Sequence, residues 1–329
     1  MSVQRNRRHE PPEKARSRRS CQEPDSFEVI STPPGRGARY NLKMGWFKAI
    51  AGAAVVLFTI REMFQDLFHP TESGALSEWV ARGLFHMMRR WPRLLPSSGP
   101  MSMAVVILIW SLLLTTGFGL IYWTTFPGSY DLQGAARPQG AEQWWWSVYY
   151  SLEMLTTLGL GDIRPNPTWL KLLSAFHTLI GFSLITASIT WIVVVFPALR
   201  RMRVLARKAN TLSDAEERSG VHVVERGMHV VLTGLAEEVI QSRVDLIHFP
   251  LLFYFYTADR RAALPAALPP LQRFASAGAE FNDDDRVRLA ATGLAIALED
   301  LAELLGHRLK CKDKSPAVVF RAFAELHTP

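Results

Sequence analysis

Cysteine is almost absent from this sequence of 329 residues, which contains two. Cys21 and Cys311 stand far apart, so the sequence offers neither a disulfide framework nor the cysteine spacing of a metal site. No apolar segment carries arginine at every third position, which excludes a voltage-sensing helix. Residues 200–329 contain no glycine-rich turn between a strand and a helix, which excludes the usual dinucleotide-binding domain.

Basic residues outnumber acidic ones by 37 to 30, and they cluster in a few places. Ten of them lie within residues 1–43, among prolines and few apolar residues, a composition that cannot bury enough surface to fold alone. Others flank apolar segments, as in the run from Arg200 to Lys208. Because this placement suits anionic lipid headgroups, we expect membrane lipids, and not nucleic acid, as the partner of these charges.

Three apolar segments are long enough to cross a membrane. Residues 46–68 carry four charged residues near their ends and are predicted to span, with an amphipathic helix at the membrane surface as the alternative. Residues 101–123 contain no charged residue, and residues 172–199 form a third span that is expected to break at Pro197. Residues 71–100 mix arginines with large apolar side chains, which predicts an amphipathic helix on a negatively charged leaflet.

The most informative stretch is residues 149–165, which reads YYSLEMLTTLGLGDIRP. It begins with apolar and aromatic residues at helical density and continues as TTLGLGD, where alternate positions are glycine. Gly159 and Gly161 can adopt the left-handed backbone conformations that turn carbonyl groups toward one axis without a Cβ clash. A site that replaces the hydration shell of a cation requires that arrangement of carbonyl oxygens.

This run resembles the pore signature of tetrameric potassium channels, Thr-Thr-Val-Gly-Tyr-Gly-Asp, with leucine at the valine and tyrosine positions. The resemblance covers roughly residues 144–197. It implies a homotetramer, since one chain supplies one filter strand, and K⁺ as the permeant ion, with no cofactor and no other metal. The implied ion ligands are the filter carbonyls of Thr157, Leu158, Gly159, Leu160 and Gly161.

Residues around the filter match the same family. Glu153 lies nine residues before Asp162, and the best-known two-transmembrane bacterial potassium channel pairs a glutamate and an aspartate at that separation behind its filter. With Thr156, these two carboxylates are therefore expected to support the filter, sharing one proton because both cannot ionise cheaply in contact. Gly181 matches the gating hinge of the inner helix, although tight packing would also explain it. The expected cavity lining is one stripe of the same helix: Phe182, Ile185, Ile189 and Val193.

These observations predict an all-α membrane protein with four parts. Residues 1–43 are a disordered basic tail, and residues 44–100 are a transmembrane or interfacial helix followed by an amphipathic linker. Residues 101–199 are the pore domain, with an outer helix, a re-entrant pore helix, the filter and an inner helix. Residues 200–329 are a helical cytoplasmic domain, as the arginine-rich flanks and the positive-inside rule suggest. The basic tail would lie outside if residues 46–68 span, against that rule.

The predicted cytoplasmic domain has one clear helix, over residues 284–309, with leucines at a spacing of three to four. The apolar run at 251–256 is expected to be core or a subunit contact. Prolines are expected to separate the helices: Pro250, Pro265 and Pro269-Pro270.

The predicted function is passive potassium conduction in the cell membrane, not catalysis. Leu160 lacks the tyrosine hydroxyl that would brace the filter, so a weakly selective cation channel is an alternative. A non-conducting membrane sensor that signals through its helical tail is another. His177, four residues before Gly181, is expected to be neutral and hydrogen-bonded behind the filter, with a pH sensor as the alternative.

Overall fold

The computed structural model describes residues 36–68, 75–90, 95, 98–133, 137–225, 227–280 and 284–327. Backbone contacts divide the chain into two units, residues 1–42 and 43–329. The predicted all-α membrane architecture is confirmed. Helix α1 spans Arg36–Phe68, so the end of the predicted disordered tail is helical, whereas residues 1–35 lie outside the described residues.

Two described helices are long and apolar enough to cross a membrane, α3 (Ser98–Trp123) and α5 (Thr168–Ser219). Helix α1 is not among them, so its predicted span stays a prediction. It lies directly against α3, because a Cβ at Gly52 would overlap the carbonyl oxygen of Gly117. Lys48, near the start of the apolar segment, places its Nζ 3.3 Å from the ring centroid of Trp123 at the end of α3. The two helices therefore run antiparallel.

The acidic residues at the end of α1 hold the start of the next helix, α2 (Ala75–Arg89). Glu62 accepts a hydrogen bond from the backbone N–H of Leu76 at 3.1 Å, and Asp66 accepts one from the Ser77 hydroxyl at 2.9 Å. The first N–H groups of a helix have no partner within the helix and favour negative charge. These contacts explain why an otherwise apolar segment ends in carboxylates.

The apolar face of α2 packs on the C-terminal part of the chain, whereas the sequence predicted that it lies on a lipid surface. Phe85 on this face is 1% exposed. Its ring centroid lies 5.9 Å from that of Tyr254 and 5.6 Å from that of His327. The predicted amphipathic helix is present, but protein side chains cover its apolar face. Trp79 and Met87 remain exposed on α2.

Helix α5 is continuous over 52 residues, with Pro197 inside it. The predicted break at Pro197 is wrong, and the predicted boundary between residues 199 and 200 falls within a helix. Proline removes one backbone hydrogen bond but keeps a helical φ, and buried neighbours on both sides, such as Val195 and Leu199, hold the helix against the protein. At 1.5 Å per residue the helix is about 78 Å long, so the inner helix enters the C-terminal region without a linker.

The C-terminal region is a helical bundle beside the lower half of α5. It contains α6 (His229–His248), α7 (Leu264–Glu280), α8 (Asp285–Leu309) and α9 (Pro316–His327), with a 3-10 helix at Pro250–Tyr254. The predicted helix at 284–309 is confirmed, with Asp284 as its N-cap. The apolar run that begins at Leu251 is buried, which confirms it as core. Of the prolines expected to separate helices, Pro265 lies in the first turn of α7, whereas Pro269 and Pro270 lie inside that helix.

Candidate ion-conduction site

The site is built around a short helix, α4 (Glu142–Leu155), that lies between α3 and α5 in the sequence and contacts both. The hydroxyl of Ser151 donates to the backbone carbonyl of Thr115 on α3 at 2.8 Å. The hydroxyls of Tyr150 and Ser174, on α4 and α5, are hydrogen-bonded at 2.7 Å. Helix α4 is therefore fixed to both long helices by buried polar contacts.

The backbone after α4 alternates in handedness. Thr157, Gly159 and Gly161 have positive φ angles of 59°, 58° and 77°. The left-handed conformation predicted for the two glycines is thus confirmed. The left-handed backbone of Thr157 was not predicted, because a β-branched residue rarely adopts this conformation. Its spacing of two from Gly159 was the signal that could have indicated it. Such alternation allows successive carbonyl groups to face one side, which an ordinary strand cannot do.

Leu158 and Leu160, the residues between the left-handed positions, hold their side chains away from the protein. They are 61% and 60% exposed. The N–H of Leu158 donates to the carbonyl of Glu153 at 3.1 Å, which ties the start of this segment to α4. The hydroxyl of Thr156 also donates back to α4, at the Leu152 carbonyl, 2.8 Å away.

Glu153 and Asp162 were expected to contact each other directly. Within the described segment 137–225 they form no hydrogen bond with each other, and each has its own partner. Glu153 is 3% exposed and accepts a hydrogen bond from the N–H of Gly161 at 3.2 Å. Asp162 accepts one from the Tyr149 hydroxyl at 3.0 Å. Both carboxylates therefore hold the segment against α4, each by its own bond. Tyr149 was not predicted as a support of this segment, although it lies one helical turn before Glu153 and so on the same face of α4.

A two-stranded antiparallel ladder fixes the chain after the glycine-rich segment. Strand β1 (Tyr130–Leu132) pairs with β2 (Ile163–Pro165), with Asp131 opposite Arg164. The Arg164 guanidinium donates from Nε to the carbonyl of Gly161 at 3.0 Å. This predicted ion ligand therefore already accepts a hydrogen bond from a cation, a contact that the motif alone did not suggest.

Gly181 lies buried on α5 against the end of α4. A Cβ at this position would overlap the carbonyl oxygen of Leu155 and lie 2.8 Å from its carbonyl carbon. Close packing alone therefore explains the glycine, and α5 is continuous through it. The role of Gly181 as a gating hinge stays a prediction.

His177 is fully buried between α3 and α5. Its ring stacks on that of Phe118 with a centroid distance of 3.7 Å, and Nδ1 lies 3.2 Å from the hydroxyl of Tyr122. The expected hydrogen bond is thus present, and it links the two long helices.

The four residues predicted to line a cavity share an exposed face of α5 in the single chain. Exposed apolar side chains continue this face toward both ends of the membrane segment, through Leu179 and Phe196. Among the described residues, no group of three or more His, Cys, Asp or Glu side chains could hold a metal ion.

Comparison with known proteins supports this arrangement. Residues 109–197 match the model of a protein family described as "Ion channel". The chain is also similar to the uncharacterized membrane protein YdjJ of Bacillus subtilis (strain 168), with 26% identity over 206 residues, which is 58% of this chain and 58% of that protein. It thus spans less than two thirds of that relative's length. No solved structure matches the chain. The matched segment contains α4, the alternating backbone and the apolar part of α5, so residues 109–197 carry an ion-channel family domain.

Proposed function

We propose that the chain forms a homotetrameric channel that conducts K⁺ passively and performs no catalysis. Its filter is the segment from Thr157 to Gly161. The observation that carries this proposal is the backbone alternation at Thr157, Gly159 and Gly161, located directly after α4 and before a membrane-length helix. Rings of backbone carbonyls can replace the water around a permeant ion, and ions then move by displacement between adjacent sites.

Exposed apolar surface supports the assembly. A single copy of this segment cannot surround an ion, and the described residues leave Leu158 and Leu160 61% and 60% exposed. The exposed stripe of α5 is apolar from Phe182 to Val193. A fourfold arrangement would place this stripe around a central cavity and would cover the two leucines with neighbouring copies. The proposed cavity lining is thus Phe182, Ile185, Ile189 and Val193.

The same proposal places the C-terminal region in the cytoplasm. The exposed Arg200 and Arg203 follow the apolar part of α5, where positive charge favours the cytoplasmic side. Anionic headgroups of the inner leaflet are the partners we propose for these side chains.

A weakly selective cation channel is the second candidate, and Leu160 favours it. This side chain carries no hydroxyl and lies 60% exposed, so no hydrogen bond from it braces the filter from behind. A filter with less bracing adapts more easily to a smaller ion.

Reconstitution of the purified full-length protein into liposomes tests both candidates. We expect a K⁺ gradient to drive flux, and reversal potentials in mixed K⁺ and Na⁺ to follow the K⁺ gradient. A reversal potential midway between the two equilibrium potentials would establish the weakly selective channel. Absence of any cation flux would overturn the conduction proposal and favour a membrane sensor.

A further inference from the structure

Arg164 is the first basic residue after the proposed filter, and its side chain turns back toward it. Its Nε donates to the carbonyl of Gly161 at 3.0 Å, and the side chain is exposed. A guanidinium is planar and always charged, so this bond fixes a full positive charge beside the last proposed carbonyl ring.

The backbone that carries Arg164 is held on both sides. The N–H of Gln133 donates to the carbonyl of Asp162 at 2.9 Å, and the N–H of Asn166 donates to the carbonyl of Ser129 at 2.9 Å. With the β1–β2 pairing between these two bonds, the backbone at Arg164 has little freedom to move away from the proposed filter.

The charge of Arg164 is not neutralised within the described residues. No ion pair of its guanidinium with a carboxylate occurs there. Asp131, opposite it in the ladder, is exposed, and Asp162 accepts a hydrogen bond from the neutral Tyr149 hydroxyl, so neither carboxylate forms an ion pair with the guanidinium. Removal of the guanidinium therefore takes one positive charge per subunit from this end of the segment.

We infer that Arg164 forms a positively charged collar at the outer mouth of the pore and sets the rate at which cations arrive from outside. The inference rests on the proposed tetrameric channel. The carbonyl of Gly161 serves as the anchor of this collar. Because the collar lies at one end of the filter, it opposes inward flow of K⁺ more than outward flow.

The size of the effect follows from screened electrostatics. Four unit charges on the order of 10 Å from the axis lower the local K⁺ concentration about twofold at ~0.15 M salt, where the Debye length is about 8 Å. At ~1 M salt the Debye length is about 3 Å, and the reduction nearly disappears.

Single-channel recording in planar bilayers tests the inference with three variants of the full-length protein. Arg164→Gln removes the charge, and Arg164→Lys keeps it. Arg137→Gln is the matched control, since Arg137 is another exposed arginine and precedes α4. Inward unitary current is measured in symmetric KCl at low and high concentration.

We expect Arg164→Gln to raise the inward current about twofold at ~0.15 M KCl and hardly at all at ~1 M. Arg164→Lys and Arg137→Gln should resemble the wild type at both concentrations. An unchanged current in Arg164→Gln, an increase that persists at high salt, or an equal increase in Arg137→Gln would overturn the collar while leaving conduction intact. A wild-type protein that carries no current would instead remove the channel proposal, and the collar with it.

Discussion

Substitution of Gly181 by alanine separates the two roles that this residue can have. If close packing is its role, the added methyl group has nowhere to go, because the atoms that it meets belong to the backbone of Leu155. Leu155 is the last residue of α4, and its backbone atoms cannot rotate aside as a side chain would. If the glycine serves only as a hinge, the methyl group stiffens α5 and otherwise fits.

The two roles predict changes of opposite sign in the free energy of unfolding. Alanine in a helix interior is about 1 kcal/mol more favourable than glycine, so a pure hinge gains about that much per subunit. Overpacking of a close contact costs about 1–3 kcal/mol. The upper end applies here, since a Cβ would lie 2.8 Å and 3.0 Å from the carbonyl carbon and Cα of Leu155, besides overlapping its oxygen. We therefore expect a net loss of about 2 kcal/mol per subunit.

Thermal unfolding of the purified protein in detergent, together with K⁺ flux in liposomes, provides the assay. Gly293→Ala is the matched control, because Gly293 lies in α8 with no atom within 4 Å of its added Cβ, and this change should stabilise the protein. We expect Gly181→Ala to unfold at a lower temperature and to lose flux, because α4 and the proposed filter that follows must shift. A Gly181→Ala protein at least as stable as the wild type, with a reduced open probability, would refute the packing argument and support the hinge.

Three further predictions concern other parts of the chain. Gly159→Ala should abolish K⁺ flux without loss of the assembly, measured by liposome flux and size-exclusion chromatography, because the left-handed backbone at this position costs a residue with a Cβ about 1–2 kcal/mol. Tyr149→Phe removes the 3.0 Å bond to Asp162 and should change the duration of open bursts but not the unitary current; identical bursts would contradict this role. Burial lowers the pKa of His327 below its ordinary 6.5, so below pH 6.5 the unfolded chain binds a proton that the folded chain does not. The unfolding temperature should therefore fall between pH 7.5 and 5.5, and His327→Gln should lose that part of the dependence.

The sequence predicted the backbone of the site better than its side-chain contacts. Glycine is the residue that tolerates a positive φ without a steric cost, so the left-handed positions at Gly159 and Gly161 could be predicted from the sequence. Hydrogen-bond partners depend on which rotamer each side chain adopts, and several residues compete for each acceptor. Glu153 and Asp162 were thus paired with each other, whereas the structure gives them Gly161 and Tyr149.

Two features of the fold depended on long-range packing and could not be read locally. Pro197 predicts a break when only its own turn is considered, but the helix continues because its neighbours are buried on both sides. The apolar face of α2 predicts a surface that must be covered without specifying the cover, and both a membrane and the aromatic cluster around Tyr254 satisfy the pattern. In both cases the deciding contacts come from residues distant in the sequence.

The C-terminal region contacts both membrane-length helices, α3 and α5. Ser98, at the start of α3, donates its hydroxyl to the carbonyl of Tyr254 at 3.3 Å, and Gly99 lies directly against the ring of Phe255. On α5, Arg201 binds the buried Asp245 through two hydrogen bonds of 2.9 Å and 2.7 Å. Because α5 contains no linker that could absorb movement, a shift of α6 or of the 3-10 helix bears on both pore helices together. Packed elements of this kind move as rigid bodies between discrete arrangements. A movement of the C-terminal region would therefore displace α5, the helix that carries the proposed cavity lining.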